Sequence, residues 1–292
     1  MEASTPEAEA EPASPELIRD LAALRAQVGE WHRAGEKVAV VPTMGALHEG
    51  HLTLVRQGKA RAERTIVTIF VNPKQFAPNE DLDRYPRDEA GDLAKLASVS
   101  ADVVYAPPHG DVYAPGFATA VKMEGPAKAG LEDKFRPHFF DGVATVVAKL
   151  FCRTGADFAM FGEKDYQQLL VVRRMAKDLD IPIEVVGIPT VREADGLAMS
   201  SRNRYLSRAE RHQAASLPRL LLQAAEKIRA GTEPSRATGA ARRSLTTLGF
   251  KVDYVTARNA ETLAFPERPD EPLRILAAAW LGTTRLIDNV GV

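Results

Sequence analysis

Two histidines three residues apart, His48 and His51, close the run Pro42-Thr43-Met44-Gly45-Ala46-Leu47-His48-Glu49-Gly50-His51. Ahead of it, Val38-Ala39-Val40-Val41 reads as a parallel strand buried on both faces. Behind it, Leu52 to Ala60 can be helical. A strand, a glycine turn and a helix start bring backbone N–H groups and a positive dipole end to one point, where phosphate is stabilised. The imidazoles add neutral or cationic donors there. The pattern predicts a nucleotide site whose phosphates are handled by histidines. Gly45 and Gly50 have P-loop spacing, but His51 and Leu52 stand where that loop needs Lys and Ser/Thr. A zinc reading of the His-Glu pattern is weaker still, because Gly50 lies between the histidines and no third ligand is evident.

Three further clusters carry usable side chains. Val71-Asn72-Pro73-Lys74-Gln75-Phe76 ends a strand with carboxamides that can read a small polar substrate without adding charge. Phe161-Gly162-Glu163-Lys164-Asp165-Tyr166-Gln167-Gln168 again joins strand to helix, now with a lysine able to neutralise phosphate as a point charge. Asp165 can cap that helix or accept from a ribose hydroxyl, and Gln168 falls on the same side as Lys164. Arg192 to Asn203 holds Met199-Ser200-Ser201-Arg202, small hydroxyls beside a planar cation, the makings of a phosphate clamp. Taken alone, each of these three also fits an ordinary solvated turn.

The elements that must position them alternate. A helix is expected from about Pro15 to Arg33, with Leu17, Leu21, Leu24, Val28 and Trp31 on one face. Strands follow at Val38–Val41, Thr65–Val71, Asp102–Tyr105, Ala156–Phe161 and Ile183–Ile188, with helices near Leu52–Ala60, Arg87–Ala97, Gly142–Phe151 and Tyr166–Lys177. That order implies an α/β fold with a parallel sheet covered on both faces, and ligands at the carboxyl ends of its strands. Beyond about Val191 a capping box, Ser207 to Glu210, opens a helix toward Ala230 that Pro218 should kink or split. Another helix, Pro234 to Leu248, and short β-type runs at 252–255, 273–278 and 284–287 suggest a small antiparallel sheet. The division expected is a disordered acidic tail over 1–16, a nucleotide-binding domain over 17–190, and a smaller α+β lid domain over 191–292.

Composition narrows the classes. The chain has 292 residues, is 45% hydrophobic and carries a formal net charge of −1, so it lacks the basic field that a nucleic-acid backbone requires. No run approaches the roughly 20 apolar residues that span a bilayer. Nor does the start have the basic and apolar regions of a secretory signal. The single cysteine, Cys152, excludes an intrachain disulfide and is expected to pack in the core. A cytoplasmic protein without nucleic-acid or membrane partners is the simplest expectation.

Jointly, in order, spacing and identity, these clusters and the terminal Thr284-Arg285-Leu286-Ile287-Asp288-Asn289 resemble the pantothenate synthetase (pantoate–β-alanine ligase) family, from about Leu17 to Asn289. The histidine turn alone would indicate only the wider nucleotidyltransferase superfamily. The resemblance implies that superfamily's Rossmann-like sheet and an ATP-dependent ligase that joins pantoate to β-alanine through a pantoyl adenylate. It implies that Met44, Gly45, Ala46, Leu47, His48, Glu49, Gly50 and His51 bind ATP, with His48 and His51 on the phosphates and His51 the proton donor. Gly162, Glu163, Lys164 and Asp165 would bind ATP too, as would Val191 through its backbone beside the adenine. Met199, Ser200, Ser201 and Arg202 would close over the triphosphate. Gln75, Gln168 and Asn72 would bind the acid. The catalytic set is then His51, His48, Lys164 and Arg202, with magnesium as cofactor and a homodimer as the assembly. One stretch departs: the family pattern Arg-Pro-Gly-His-Phe-x-Gly is here Arg136-Pro137-His138-Phe139-Phe140-Asp141-Gly142, with Phe139 at the histidine position and His138 at the glycine. Another adenylyl- or cytidylyltransferase, or a nucleotide-binding regulatory module without catalysis, is the competing reading.

Overall fold

The structure is a computed structural model that describes residues 14–76, 82–268 and 270–292. The expected tail therefore lies outside the described residues up to position 13. Strand β1 (Glu16–Ile18) leads to α1 (Leu21–Arg33), β2 (Val38–Thr43), α2 (Glu49–Lys59), β3 (Arg64–Ile69), α3 (Glu89–Ala97) and β4 (Val103–Tyr105). The short α4 (His109–Val112) and α5 (Glu132–Phe135) precede α6 (Phe139–Thr154), β5 (Phe158–Gly162), α7 (Tyr166–Asp178) and β6 (Glu184–Ile188). These strands form one parallel sheet in the order β1-β4-β3-β2-β5-β6. From β2 the chain builds outward first through β3 and β4, then returns to add β5 and β6 on the other side. The carboxyl ends of β2 and β5 thus flank the switch point where an open α/β sheet leaves a crevice.

Val38, Val40 and Val41 are fully buried. Val38 and Val40 pack with Leu24 and Val28 of α1 and the apolar side of α6, while Val41 packs on the opposite face with Leu52, Val55 and Leu96 of α2 and α3. A continuous apolar strand is explained by helices on both sides.

The remainder holds α8 (Arg208–Ala214), α9 (Ser216–Arg229), α10 (Pro234–Thr247) and an antiparallel sheet of β7 (Lys251–Asn259), β8 (Leu273–Leu281) and β9 (Thr284–Gly291). The Ser207–Glu210 capping box forms as expected, with Glu210 N–H on Ser207 Oγ at 3.3 Å and Ser207 N–H on Glu210 Oε2 at 2.8 Å. The helix divides at Ala215, which leaves Pro218 in the first turn of α9, where its missing N–H costs nothing.

Two expectations fail. Residues 16–18 are a strand beside β4, not the start of a helix; Asp20 caps α1 by accepting from Ala23 N–H at 2.8 Å. Leu17 fell on the helical stripe by coincidence. Cys152 is exposed, not core. Helix α6 is apolar nearly all round, so its texture did not reveal the one face that meets solvent.

Candidate active site

The turn after β2 is held from beneath. Thr43 Oγ1 donates to Thr68 O at 2.7 Å and accepts from Gly45 N–H at 3.2 Å. Gly45 and Ala46 both take positive φ, +80° and +52°. That reverses the chain so that the N–H groups of Ala46 and Leu47 meet the two oxygens of Asp92, each at 2.8 Å. Asp92 comes from α3 and is 1% exposed. The backbone donors expected to meet phosphate at Ala46 and Leu47 are thus spent inside the protein.

The histidines consume two more. His48 Nδ1 accepts from Gly50 N–H at 3.2 Å, and His51 Nδ1 accepts from His48 N–H at 3.3 Å, a reciprocal cap on α2 with ring centroids 4.1 Å apart. Gly50 permits the fold-back, since a Cβ there would lie 2.9 Å from the His48 ring. With both Nδ1 atoms accepting, the proton of each neutral ring sits on Nε2. Burial, then nearby Lys164, pushes the His48 pKa down to about 4. Burial, then His48 and Lys164, pushes His51 down to about 3. Both rings are therefore neutral Nε2–H donors at about pH 7.

The carboxamides have a fixed polarity. Asn72 is 1% exposed. Its Oδ1 accepts from Lys74 N–H at 3.3 Å and from the Tyr113 hydroxyl at 2.7 Å. Its Nδ2 donates to Gly142 O at 3.1 Å and to Gln75 Oε1 at 3.0 Å. Gln75 therefore turns Nε2 away from Asn72, 3.1 Å from Met44 Sδ, and offers a donor rather than an acceptor. Arg136 donates to Gln75 O at 3.1 Å and stacks on Phe139 at 3.7 Å. His138 is exposed at the start of α6 and does not line the cleft.

Across the switch point, Glu163–Asp165 is a single 3-10 turn after β5. Lys164 Nζ lies 3.8 Å from Asp165 Oδ2. Ser200 caps the next 3-10 turn, Ser201–Tyr205, and Ser201 Oγ lies 3.5 Å from the Tyr85 hydroxyl.

All four clusters contribute to one cleft of about 880 Å³, ample for a nucleotide and a small acid. Of the sequence-predicted residues, Met44, His48, Gly50, His51, Asn72, Gln75, Gly162, Lys164, Asp165, Gln168, Val191, Met199, Ser200, Ser201 and Arg202 line it. Gly45, Ala46, Leu47, Glu49 and Glu163 do not line it: the first three build the turn, Glu49 pairs with Arg56, and Glu163 pairs with Arg274 at 2.9 Å. Sequence reasoning missed Asp92, Tyr85, Tyr113 and Arg136, and also a buried ion cluster in the lining. There Arg285 meets Glu132 at 2.6 and 2.9 Å and Asp253 at 2.8 Å, and the Tyr254 hydroxyl donates to Glu132 at 2.7 Å. Only Arg136 had a local signal, the Arg-Pro step before α6.

Comparison with known proteins agrees with this architecture. The family described as Pantoate-beta-alanine ligase matches residues 16–291. A pantothenate synthetase of Mesorhizobium japonicum is 59% identical over 279 residues, which cover 95% of this chain and 98% of the relative. The crystal structure of pantothenate synthetase from Thermus thermophilus superposes with a TM-score of 0.89 at 45% identity, covering 94% of this chain and 98% of that one. A Francisella tularensis pantoate-beta-alanine ligase, described as complexed with beta-gamma ATP and beta-alanine, gives 0.79 at 31% identity over 95% and 98%.

Proposed function

The chain belongs to the pantoate-beta-alanine ligase family, and from that premise we propose how its cleft performs the reaction. The enzyme condenses pantoate with β-alanine at the expense of ATP. The reaction proposed is attack of a pantoate carboxylate oxygen on the α-phosphorus of ATP, with the bond to pyrophosphate breaking. The β-alanine amine then attacks the acyl carbon of the adenylate, and AMP leaves with the carboxylate oxygen.

Attack of an anion on a triphosphate needs donors aimed where charge develops. His48 and His51 supply neutral Nε2–H groups, which do not bind free anions so strongly that release is slowed. Lys164 and Arg202 supply fixed positive charge, and Ser200 and Ser201 supply hydroxyls. As charge builds on the phosphates, the Nε2–H groups of His48 and His51 donate hydrogen bonds to the oxygens that gain it; with its Nδ1 held by His48 N–H, His51 acts as a hydrogen-bond donor and keeps its proton. Gln75 reads an oxygen of pantoate through Nε2, with Gln168 opposite and Asn72 setting its orientation. Asn72 thus acts through Gln75. Val191 lies beside the adenine. Residues 191–292 form the lid domain, whose Met199–Arg202 segment covers the triphosphate and keeps water from the adenylate.

Magnesium would be brought by ATP and would offset phosphate charge, a role that calls for one or two protein carboxylates at most. Asp165 is the carboxylate of the predicted set that lines the cleft. A homodimer in the cytoplasm remains part of this proposal; among the described residues no helix is long and apolar enough to cross a membrane.

The observation that carries the reading is the convergence of two Nε2–H imidazoles, a lysine and a donor-facing glutamine on one cleft at the switch point. ATP–pyrophosphate exchange tests it. Exchange must require pantoate, and AMP must accumulate only after β-alanine is added. Exchange supported by a phosphate ester instead would move the assignment to another nucleotidyltransferase activity.

A further inference from the structure

The run Thr284 to Asn289 has no role above apart from Arg285, yet its last two residues grip two loops of the cleft at once. Asn289 is 4% exposed, and its Nδ2 donates to the carbonyl oxygens of Glu163 at 2.9 Å and Lys164 at 2.8 Å. Asp288, 2% exposed, accepts from Arg192 through both oxygens, at 2.8 and 3.0 Å, and takes the N–H of Asn289 at 2.7 Å. Arg192 also reaches Asn289 O at 3.3 Å and Gly196 O at 3.0 Å. Beside it, Val191 O accepts from Met199 N–H at 3.0 Å, and Arg192 bridges Ala198. One dipeptide of β9 therefore anchors both the turn that presents Lys164 and the base of the Met199–Arg202 segment.

A lysine ammonium at the end of a flexible stem is aimed only as well as its backbone. Both protons of the Asn289 carboxamide go to consecutive main-chain carbonyls, which sets the tilt of that turn. Arg274, on β8 of the same sheet, adds a bond to Glu163 at 2.9 Å and stacks on Tyr166 at 3.8 Å. The antiparallel sheet thus adds polar, directional contacts with the nucleotide loops to the apolar packing of Leu197 against its core and of Leu276 beside Tyr166 and Leu170.

We propose that Asp288 and Asn289 are positioning residues for the nucleotide. They hold the Lys164 turn and the 191–202 loop in mutual register, so that the small sheet sets the geometry of the ATP site. This rests on the reading that Lys164 and Met199–Arg202 bind ATP.

The test measures ATP–pyrophosphate exchange on the full chain, with separate KM values for ATP and pantoate, in Asn289→Asp, Asn289→Ala and Asp288→Asn, with Lys164→Ala as reference. Asn289→Asp keeps the shape but sets an acceptor against two carbonyls. Both Asn289 variants should lower kcat/KM for ATP about tenfold, the worth of one or two ordinary hydrogen bonds, and leave KM for pantoate within about twofold. Asp288→Asn should shift the same parameter by a smaller factor. Asn289→Asp combined with Lys164→Ala should be no worse than Lys164→Ala alone, because Asn289 acts through that lysine. Circular dichroism checks that each variant is folded; should Asn289→Asp fail, the same split is read in Asn289→Ser. Unchanged kinetics, an equal rise in both KM values, additive losses in the double variant, or unfolding of every Asn289 variant would each overturn the inference. If Lys164→Ala leaves exchange with ATP intact, the ATP reading of the cleft has failed, and the inference falls with it.

Discussion

Gly142→Ala is a one-methyl change that should damage pantoate use selectively, with ATP use nearly spared, as well as loosening the fold. A Cβ at this position in the first turns of α6 would lie 2.2 Å from Lys74 O, 2.6 Å from Lys74 C and 2.9 Å from Gln75 N. All three are backbone atoms, so no side chain can swing aside. The Pro73–Gln75 turn must retreat by at least about 0.8 Å to reach the 3.0 Å that real Cβ contacts respect. Its tie to α6 runs through Asn72 Nδ2 on Gly142 O, and the same amide fixes Gln75. Overpacking of this size costs about 1–3 kcal/mol of stability. A misplacement of about 1 Å in a positioning group costs up to about 100-fold in rate. We therefore expect kcat/KM for pantoate to fall about 10- to 100-fold in pyrophosphate exchange, with KM for ATP within about threefold. A measurable drop in thermal midpoint should accompany it. If the midpoint drops while kcat/KM for pantoate stays within about twofold, the position of Gln75 is not set by this contact and the reasoning is refuted.

Three further outcomes follow from other parts of the cleft. Both histidine pKa values lie below the usual value near 6.5, so the unfolded chain binds more protons than the folded one as pH falls. Their contribution is complete above about pH 6.5 and declines as pH drops toward 4 and 3. Urea unfolding should show a smaller loss from pH 7.5 to 5 (about those values) in His51→Asn than in the parent; equal losses would contradict the assignment. Asp92→Asn replaces one of two acceptors with a donor, leaves the N–H of Ala46 or Leu47 unpaired, and should cost about 1–3 kcal/mol together with most of the exchange activity. Arg285→Met strands Glu132 and Asp253 as buried carboxylates and should cost about 3–5 kcal/mol by denaturant titration; a loss below about 1 kcal/mol would show that the cluster adapts.

What could be read from the sequence was what is local. Val38 to Val41 announced a strand covered on both sides, the Ser207–Glu210 box announced a helix start, and the histidine turn announced a site. What could not be read was any partner distant along the chain. Asp92 holds the turn from 46 residues away and Asn289 holds Lys164 from 125; nothing near Asp92 marks it, and the Thr284–Asn289 run stood out only by resemblance, with no hint of which loop Asn289 meets. The β1 strand escaped because three residues are too few to establish a period, and Leu17 happened to fit the helical stripe. The expected role of backbone N–H groups at Ala46 and Leu47 was sound as chemistry, but it could not foresee that a buried carboxylate would take them first. Likewise, the sequence supplied Gln75 as a polar group, and only Tyr113, Asn72 and Gly142 in place show that it faces the cleft as a donor.

The most direct measurement is a crystal structure of the enzyme with a non-hydrolysable ATP analogue and pantoate. We predict a pantoate carboxylate oxygen about 3–3.5 Å from the α-phosphorus, Gln75 Nε2 on an oxygen of the acid, and the Nε2 atoms of His48 and His51 on the phosphates. A triphosphate seated away from both imidazoles, or an acid held on the far side of the cleft from Gln75, would contradict the account.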